Sequence, residues 1–162
     1  MIVPLLLLSL QVAPPADEQP VAPYVQSDAN AGATPFKGDG MWRAFHQQAG
    51  VDRIVDGLVA RNIVDPRISD IFKGQDLVRL RRVLKEQFCY ILGGGCRYTG
   101  RAMRPAHADM GVQHADLAAL VENLQAAMRE EHVGFAAQNR FLAKLAPMDR
   151  DIVKIRGPRP KE

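Results

Sequence analysis

The sequence predicts an all-α protein, because apolar residues recur at intervals of three and four through most of the chain and no segment has the alternation of a strand. The chain has 162 residues, of which 47% are hydrophobic, and this length allows one domain with a substantial core. The net charge is only +3, and the basic residues are interspersed with acidic ones. We therefore expect no nucleic-acid partner.

The N-terminal residues 1–16 resemble an export signal, since residues 2–12 are almost entirely apolar. Two features argue against this interpretation: no positive charge precedes the apolar run, and Pro14 does not suit cleavage after Ala13. The run is also shorter than the roughly 20 residues of a membrane-spanning helix, so no stable transmembrane span is expected. We predict an exported protein, periplasmic or secreted, with a cytoplasmic or membrane-tethered protein as the alternative.

Residues 17–40 are rich in Pro, Ala, Gly and Asp and have no apolar periodicity, so they are predicted to be a disordered linker. The helical pattern begins at residue 41 with one short helix. A second helix should end before Asp65-Pro66, because proline restricts the residue before it and stops a helix. A brief apolar segment that includes Phe72 follows.

A long helix is expected next, with Asp76 as its N-cap and three glycines, residues 93–95, as its end. Apolar stripes in residues 117–128 and 141–148 predict two further helices. The helical domain thus extends over residues 41–153, and a short basic tail completes the chain.

Residues 93–107 separate two helices with four glycines and almost no apolar stripe. A helical bundle would connect its helices by a short loop, so a segment of this kind needs another reason. A cofactor that lies where a helix would otherwise pack supplies such a reason.

The motifs of this segment resemble those of group 1 truncated haemoglobins. The chain has Leu92-Gly93-Gly94, Tyr98-Thr99-Gly100, Met103-Arg104 and then His107, with the separations found in that family. The resemblance covers residues 42–153. It implies a two-over-two helical sandwich with a short or irregular proximal segment, and one haem b per chain that binds O2, CO or NO.

The resemblance implies a haem site in which His107 is the iron ligand, because a neutral imidazole provides the fifth ligand and leaves the sixth position open. Phe72 would pack against the haem face, and Arg104 would face a propionate. Pro105 suits the first position of a short helix that carries the histidine. The cofactor-binding residues expected are Phe72, Arg79, Leu80, Leu84, Met103, Arg104, His107 and Leu120.

The distal side departs from the family pattern. Relatives place a tyrosine on the second helix and often a glutamine on the long helix, whereas this chain has Val59, Leu80 and Leu84 there. The predicted gas pocket is therefore apolar and lacks a hydrogen bond to bound oxygen of about 1.5–3 kcal/mol. Gln87 could supply a polar group, although a solvated side chain is the alternative interpretation. A glycine pair of relatives is replaced by His46-Gln47.

Two functions follow. The first is reversible binding of a diatomic gas, with redox chemistry on NO or peroxide, aided by an unidentified redox partner, as its enzymatic form. The second is a globin-derived haem carrier or protein-interaction module without efficient gas chemistry. No other histidine has metal-ligand spacing. Cys89 and Cys96 could form a disulfide in an oxidising compartment, or Cys89 could be a buried thiol.

Overall fold

The computed structural model describes residues 15–153, and every regular element in that range is helical. The helices are α1 (Gly40–Ala44), α2 (Gln47–Asn62), α3 (Ser69–Phe72), α4 (Leu77–Leu92), α5 (Met103–Ala106), α6 (His114–Glu130), α7 (Phe135–Leu145) and α8 (Asp149–Ile152). Two 3₁₀ turns, Asp28–Ala31 and Ala146–Met148, complete the set. Most of the predicted export signal, residues 1–14, and the whole basic tail, residues 154–162, lie outside the described residues.

The long helices form a two-over-two helical sandwich, in which α2 packs against both α4 and α6 and α7 packs against α6. The core contains three phenylalanine rings in edge-to-face contact: the centroid of Phe141 lies 5.0 Å from that of Phe45 and 4.9 Å from that of Phe88. Rings in this arrangement gain quadrupole attraction in addition to their buried area. The link between α1 and α2 therefore meets α4 and α7 at one aromatic cluster.

The ends of α4 are where the sequence predicts them. Asp76 is the N-cap, and its carboxylate accepts a hydrogen bond from the backbone N–H of Arg79 at 3.0 Å. Gly93 closes the helix with φ 86°, a conformation that glycine adopts without a steric penalty. Gly94 follows in a position where a Cβ would lie 2.7 Å from the sulfur of Cys89.

The two cysteines are joined by a disulfide between Cys89 on α4 and Cys96 in the following loop, with a Cα–Cα distance of 5.7 Å. The close turn at Gly93 and Gly94 brings the loop back over the helix end. The disulfide thus attaches the start of the glycine-rich segment to α4.

The short helix α5 differs from the expectation. Pro105 is its third residue, not its first, and His107 follows the helix end instead of opening a helix. Proline is still compatible with this position, because the N–H groups of a first turn have no intrahelical partner.

Residues 17–40, expected to be a disordered linker, instead lie along α4 and the loop before α5. The N–H of Phe36 donates to the carbonyl of Ile91 at 2.8 Å, and Ala31 is completely buried. The contacts are made by single side chains and backbone groups, which leave no periodic pattern in the sequence. In the described part of the chain, no helix is long and apolar enough to span a membrane.

Candidate cofactor-binding site

A cavity of about 680 Å³ lies between α4 and α6. Residues of α2, α3, α5 and α7, of the chain beyond α7 and of the irregular segments before α1 and α5 also line it. Its lining is predominantly apolar, which is typical of a site for a large organic ligand. The predicted site residues that line it are Phe72, Arg79, Leu80, Leu84, Gln87, Met103, His107 and Leu120. The structure thus brings these eight side chains to one cavity.

Val59, expected in the distal wall, is not among the lining residues. It is fully buried in the core, and Leu58 lines the cavity in its place. Successive helical residues differ by about 100° in direction, so neighbouring positions on α2 face different surroundings. The apolar stripe of α2 was visible in the sequence, but its spacing alone did not show which member faces the cavity.

Arg104, expected to face a haem propionate, is also absent from the lining. Its guanidinium is exposed and pairs with Asp151 on α8 at 2.8 Å. The arginines that line the cavity are Arg79 and Arg101. Arg101 donates to the carbonyl of Ala22 at 3.2 Å, a contact that sequence patterns did not reveal.

The His107 ring is oriented by a hydrogen bond to the backbone of Met103. Its Nδ1 lies 2.7 Å from the carbonyl oxygen of Met103. Because a carbonyl can only accept, Nδ1 carries the hydrogen, and the neutral ring keeps its lone pair on Nε2. Burial lowers the pKa of His107 below its ordinary value, against the opposing effect of the hydrogen bond to Met103. A neutral imidazole is the form that binds a metal.

Gln87 is buried and lines the cavity, so it is not the solvated side chain that the sequence left as an alternative. Its Nε2 donates to the carbonyl of Ala31 at 2.8 Å. The sulfur atoms of Met103 and Met148 lie 3.6 and 3.8 Å from the same nitrogen. Gln87 therefore connects α4 to residues 18–31, the N-terminal segment.

Several lining residues were missed by sequence reasoning. Leu58 and Asn62 contribute from α2, and the buried amide of Asn62 accepts from Nδ2 of Asn123 at 3.0 Å. Val21 and Tyr24 contribute from the N-terminal segment. That segment has no periodicity, and no sequence signal could have assigned its residues to the site.

The remaining histidines lie outside the cavity lining. His46, His114 and His132 are exposed, and His46 pairs with Glu131 at 2.9 Å. In residues 15–153, no three His, Cys, Asp or Glu side chains cluster as ligands of a protein-only metal site. A metal at His107 would thus need the other ligands of a cofactor.

Solved structures share this architecture. Truncated haemoglobin from Tetrahymena pyriformis, in its Fe(III) form, aligns with a TM-score of 0.67 and 23% identity, over 70% of this chain and 97% of that one. The 2/2 haemoglobin from Synechococcus sp., in the cyanomet state with covalently attached haem, aligns with a TM-score of 0.65 and 24% identity over the same shares. The fold is therefore that of the two-over-two globins.

Sequence comparisons identify the family of the chain. The family described as Bacterial-like globin matches residues 42–154. Group 1 truncated haemoglobin of Tetrahymena pyriformis is 31% identical over 91 residues, which are 56% of this chain and 75% of the relative. The group 1 truncated haemoglobin GlbN of Synechocystis sp. is 33% identical over 84 residues, or 49% and 68%. The chain belongs to the bacterial-like globin family and is a haem globin.

The residues of the cavity fit a haem. The apolar walls suit the porphyrin faces, and one neutral imidazole with an unprotonated Nε2 provides the nitrogen donor. Arg79 and Arg101 are cations in the lining that suit carboxylates. The donor set is thus complete for a haem with one protein ligand.

Proposed function

We propose that this globin holds one haem b through His107 and reversibly binds a diatomic gas in an apolar distal pocket. The observation that carries the proposal is the position of His107, the one histidine in the lining of a large apolar cavity. When bound, haem supplies an iron whose sixth position accepts O2, CO or NO.

The residues on the His107 side orient the ring. The carbonyl of Met103 fixes the Nδ1–H tautomer, and a hydrogen bond of this kind both orients a ligating imidazole and raises its basicity. Met103 itself is buried against the cavity. The orientation of the His107 ring therefore depends on the short helix α5, which is positioned by the loop before it.

The proposed distal side is apolar. Leu80 and Leu84 on α4 and Leu58 on α2 present hydrocarbon to the cavity. Without a donor from these positions, we expect faster loss of O2 than from a pocket that donates a hydrogen bond. CO and NO depend less on such a donor. This supports gas binding over efficient NO dioxygenation, which requires a stable complex with O2.

Absorption spectroscopy tests the proposal. The purified protein with haemin should show a sharp Soret band, a five-coordinate ferrous form and a further change with CO. His107→Ala should abolish the five-coordinate signature, whereas His114→Ala, which changes an exposed histidine at the start of α6, should leave it unchanged. A His107→Ala protein with the wild-type spectrum would assign the iron ligand to another residue.

The predicted export is a separate proposal. The Cys89–Cys96 disulfide supports it, because disulfides persist in oxidising compartments and are reduced in the cytosol. Mass spectrometry of the protein from its native source tests it, since an exported protein should lack the apolar residues at its N-terminus. Retention of Met1 through Ala16 would contradict a cleaved signal.

A further inference from the structure

The N-terminal segment, residues 18–31, precedes the family match at residues 42–154, yet it borders the cavity. Val21 and Tyr24 are lining residues, and Ala31 accepts the hydrogen bond of Gln87, another lining residue. We infer that this segment is an integral wall of the haem site and that Glu18 is the positioning residue that holds it on α4. The inference rests on the proposed haem site.

Glu18 attaches the segment to α4 through its carboxylate. Its carboxylate is only 1% exposed and forms ion pairs with two arginines of α4, at 2.9 Å from Nη2 of Arg82 and 3.2 Å from Nε of Arg79. The hydrogen bond from Arg82 lowers the pKa of Glu18, although burial acts in the opposite direction. Glu18 is therefore ionised at neutral pH, and both of its oxygens are bonded.

The residue next to Glu18 extends this attachment. The N–H of Gln19 donates to the carboxylate of Asp76 at 2.7 Å, and its carbonyl accepts a hydrogen bond from the guanidinium of Arg79. Arg79 is therefore restrained by Glu18, Gln19 and Asp76 together. A lining arginine that is already fixed in this way loses less side-chain entropy when a ligand binds.

A second attachment lies at Tyr24. Its hydroxyl donates to the carbonyl of Thr99 at 2.6 Å, and the guanidinium of Arg101 lies 5.5 Å from the centre of its ring. The Thr99 hydroxyl in turn accepts from Arg82, the partner of Glu18, at 2.6 Å. The segment thus links α4 to the loop before α5, and it restrains both arginines of the lining.

A charged wall of this kind should slow haem loss. Because Val21 and Tyr24 line the cavity, we expect bound haem to leave more easily when the segment detaches from α4. Detachment breaks the charge-assisted bonds of Glu18, and each of the two arginines loses one of its carboxylate partners. We therefore expect the rate of haem dissociation to rise when the charge of Glu18 is removed.

The experiment measures the transfer of haemin from the full-length protein to an excess of a haem-free acceptor globin. Glu18→Gln should speed dissociation about tenfold, because a neutral amide forms weaker bonds with two arginines. Glu18→Asp, which keeps the charge on a shorter side chain, should restore part of the difference. Asp17→Asn is the matched control, since Asp17 is an exposed neighbour with the same charge, and its rate should equal that of the wild type.

Hydrogen exchange of the wild-type protein provides a second readout that needs no variant. Haemin should slow exchange of the amides in residues 18–31 as well as those around His107. Protection around His107 without protection of residues 18–31, or a Glu18→Gln rate equal to the wild type, would overturn the inference and leave the haem site intact. A wild-type protein that shows no Soret band with haemin would instead overturn the proposed function.

Discussion

The two sides of the cavity are built in different ways. Leu58, Leu80 and Leu84 belong to long helices whose apolar stripes face the core. Another part of the wall is formed by residues 18–31 and the chain from Gly93 to His107, where ion pairs, a disulfide and single hydrogen bonds hold an irregular backbone. The helical wall depends on burial of many apolar atoms, whereas the irregular wall depends on a few specific contacts.

This difference predicts different responses to mutation. Loss of one apolar side chain from the helical wall leaves a cavity in a packed interior, so it should destabilise the whole domain. Loss of one contact from the irregular wall should act mainly on that wall. The following predictions compare the two, from the largest effect to the smallest.

The largest effect should come from Phe141 on α7, whose ring contacts both Phe45 and Phe88. Phe141→Ala should lower the free energy of unfolding by about 3–5 kcal/mol, because the change leaves a large void in the core. Urea denaturation followed by circular dichroism measures this.

Phe135 supplies the matched control, since it is on the same helix but is mostly exposed. Phe135→Ala should change the free energy of unfolding by less than about 0.5 kcal/mol. Equal effects of the two variants would show that the aromatic cluster is not the centre of the core.

The disulfide is the corresponding test of the irregular wall. Removing the Cys89–Cys96 link, which spans seven positions in sequence, should lower the free energy of unfolding by about 2–3 kcal/mol through greater freedom of the unfolded chain. A Cys89→Ala, Cys96→Ala double variant should show this loss in urea denaturation.

Reduction of the wild type should reproduce the loss, and the double variant should be insensitive to reductant. A wild-type protein whose stability does not change on reduction would contradict a stabilising disulfide. The measurement uses the haem-free protein, because haem binding would add its own contribution to stability.

The apolar side chains of the helical wall should also determine how fast O2 is released. Leu84→Gln places an amide donor in the lining, and we expect O2 release from the haem-loaded protein to slow about tenfold, as one hydrogen bond of about 1.4 kcal/mol would give. Stopped-flow displacement of O2 by CO measures the rate.

Val78→Gln is the control for this change, because Val78 is on the same helix but is half exposed and does not line the cavity. It should leave O2 release unchanged. A Leu84→Gln variant with wild-type O2 release would contradict a distal position for Leu84. Because Val59 does not face the cavity, Val59→Tyr should lower stability instead of slowing O2 release.

These contrasts also explain what the sequence could reveal. The spacing of apolar residues predicted the long helices, and Asp76 and Gly93 predicted the ends of α4, because capping is a local property. The motif around His107 singled out a histidine that lines the cavity, but it did not show that this residue follows α5. Periodicity could not choose between Leu58 and Val59, since both belong to one stripe.

The contacts of the irregular wall left no such signal. Glu18 and Tyr24 are bonded to residues more than 60 positions away, and their neighbours in sequence do not indicate these partners. Arg104 is a second example of a long-range contact that the sequence did not reveal. Its position in the motif predicted a contact with the cofactor, whereas in the structure it pairs with the carboxylate of Asp151. Single polar contacts at long range depend on the complete fold.

The smallest effect should come from the corner between α1 and α2, where two residues with side chains adopt a backbone conformation that favours glycine. His46 and Gln47 have φ values of 59° and 58°, in the left-handed region that disfavours residues with a side chain. Gln47 is exposed, so a substitution there removes no packing. Gln47→Gly should therefore raise the free energy of unfolding by about 1 kcal/mol through relief of this strain.

Gln48 tests whether the effect belongs to the backbone conformation. It is also exposed, but it lies in the regular part of α2 and its amide donates to Asp52 at 2.8 Å. Gln48→Gly should lower the free energy of unfolding by about 0.5–1 kcal/mol, because glycine weakens a regular helix. Opposite signs at adjacent positions would locate the strain in the corner, whereas destabilisation by both glycines would show that the left-handed pair carries no strain that glycine relieves.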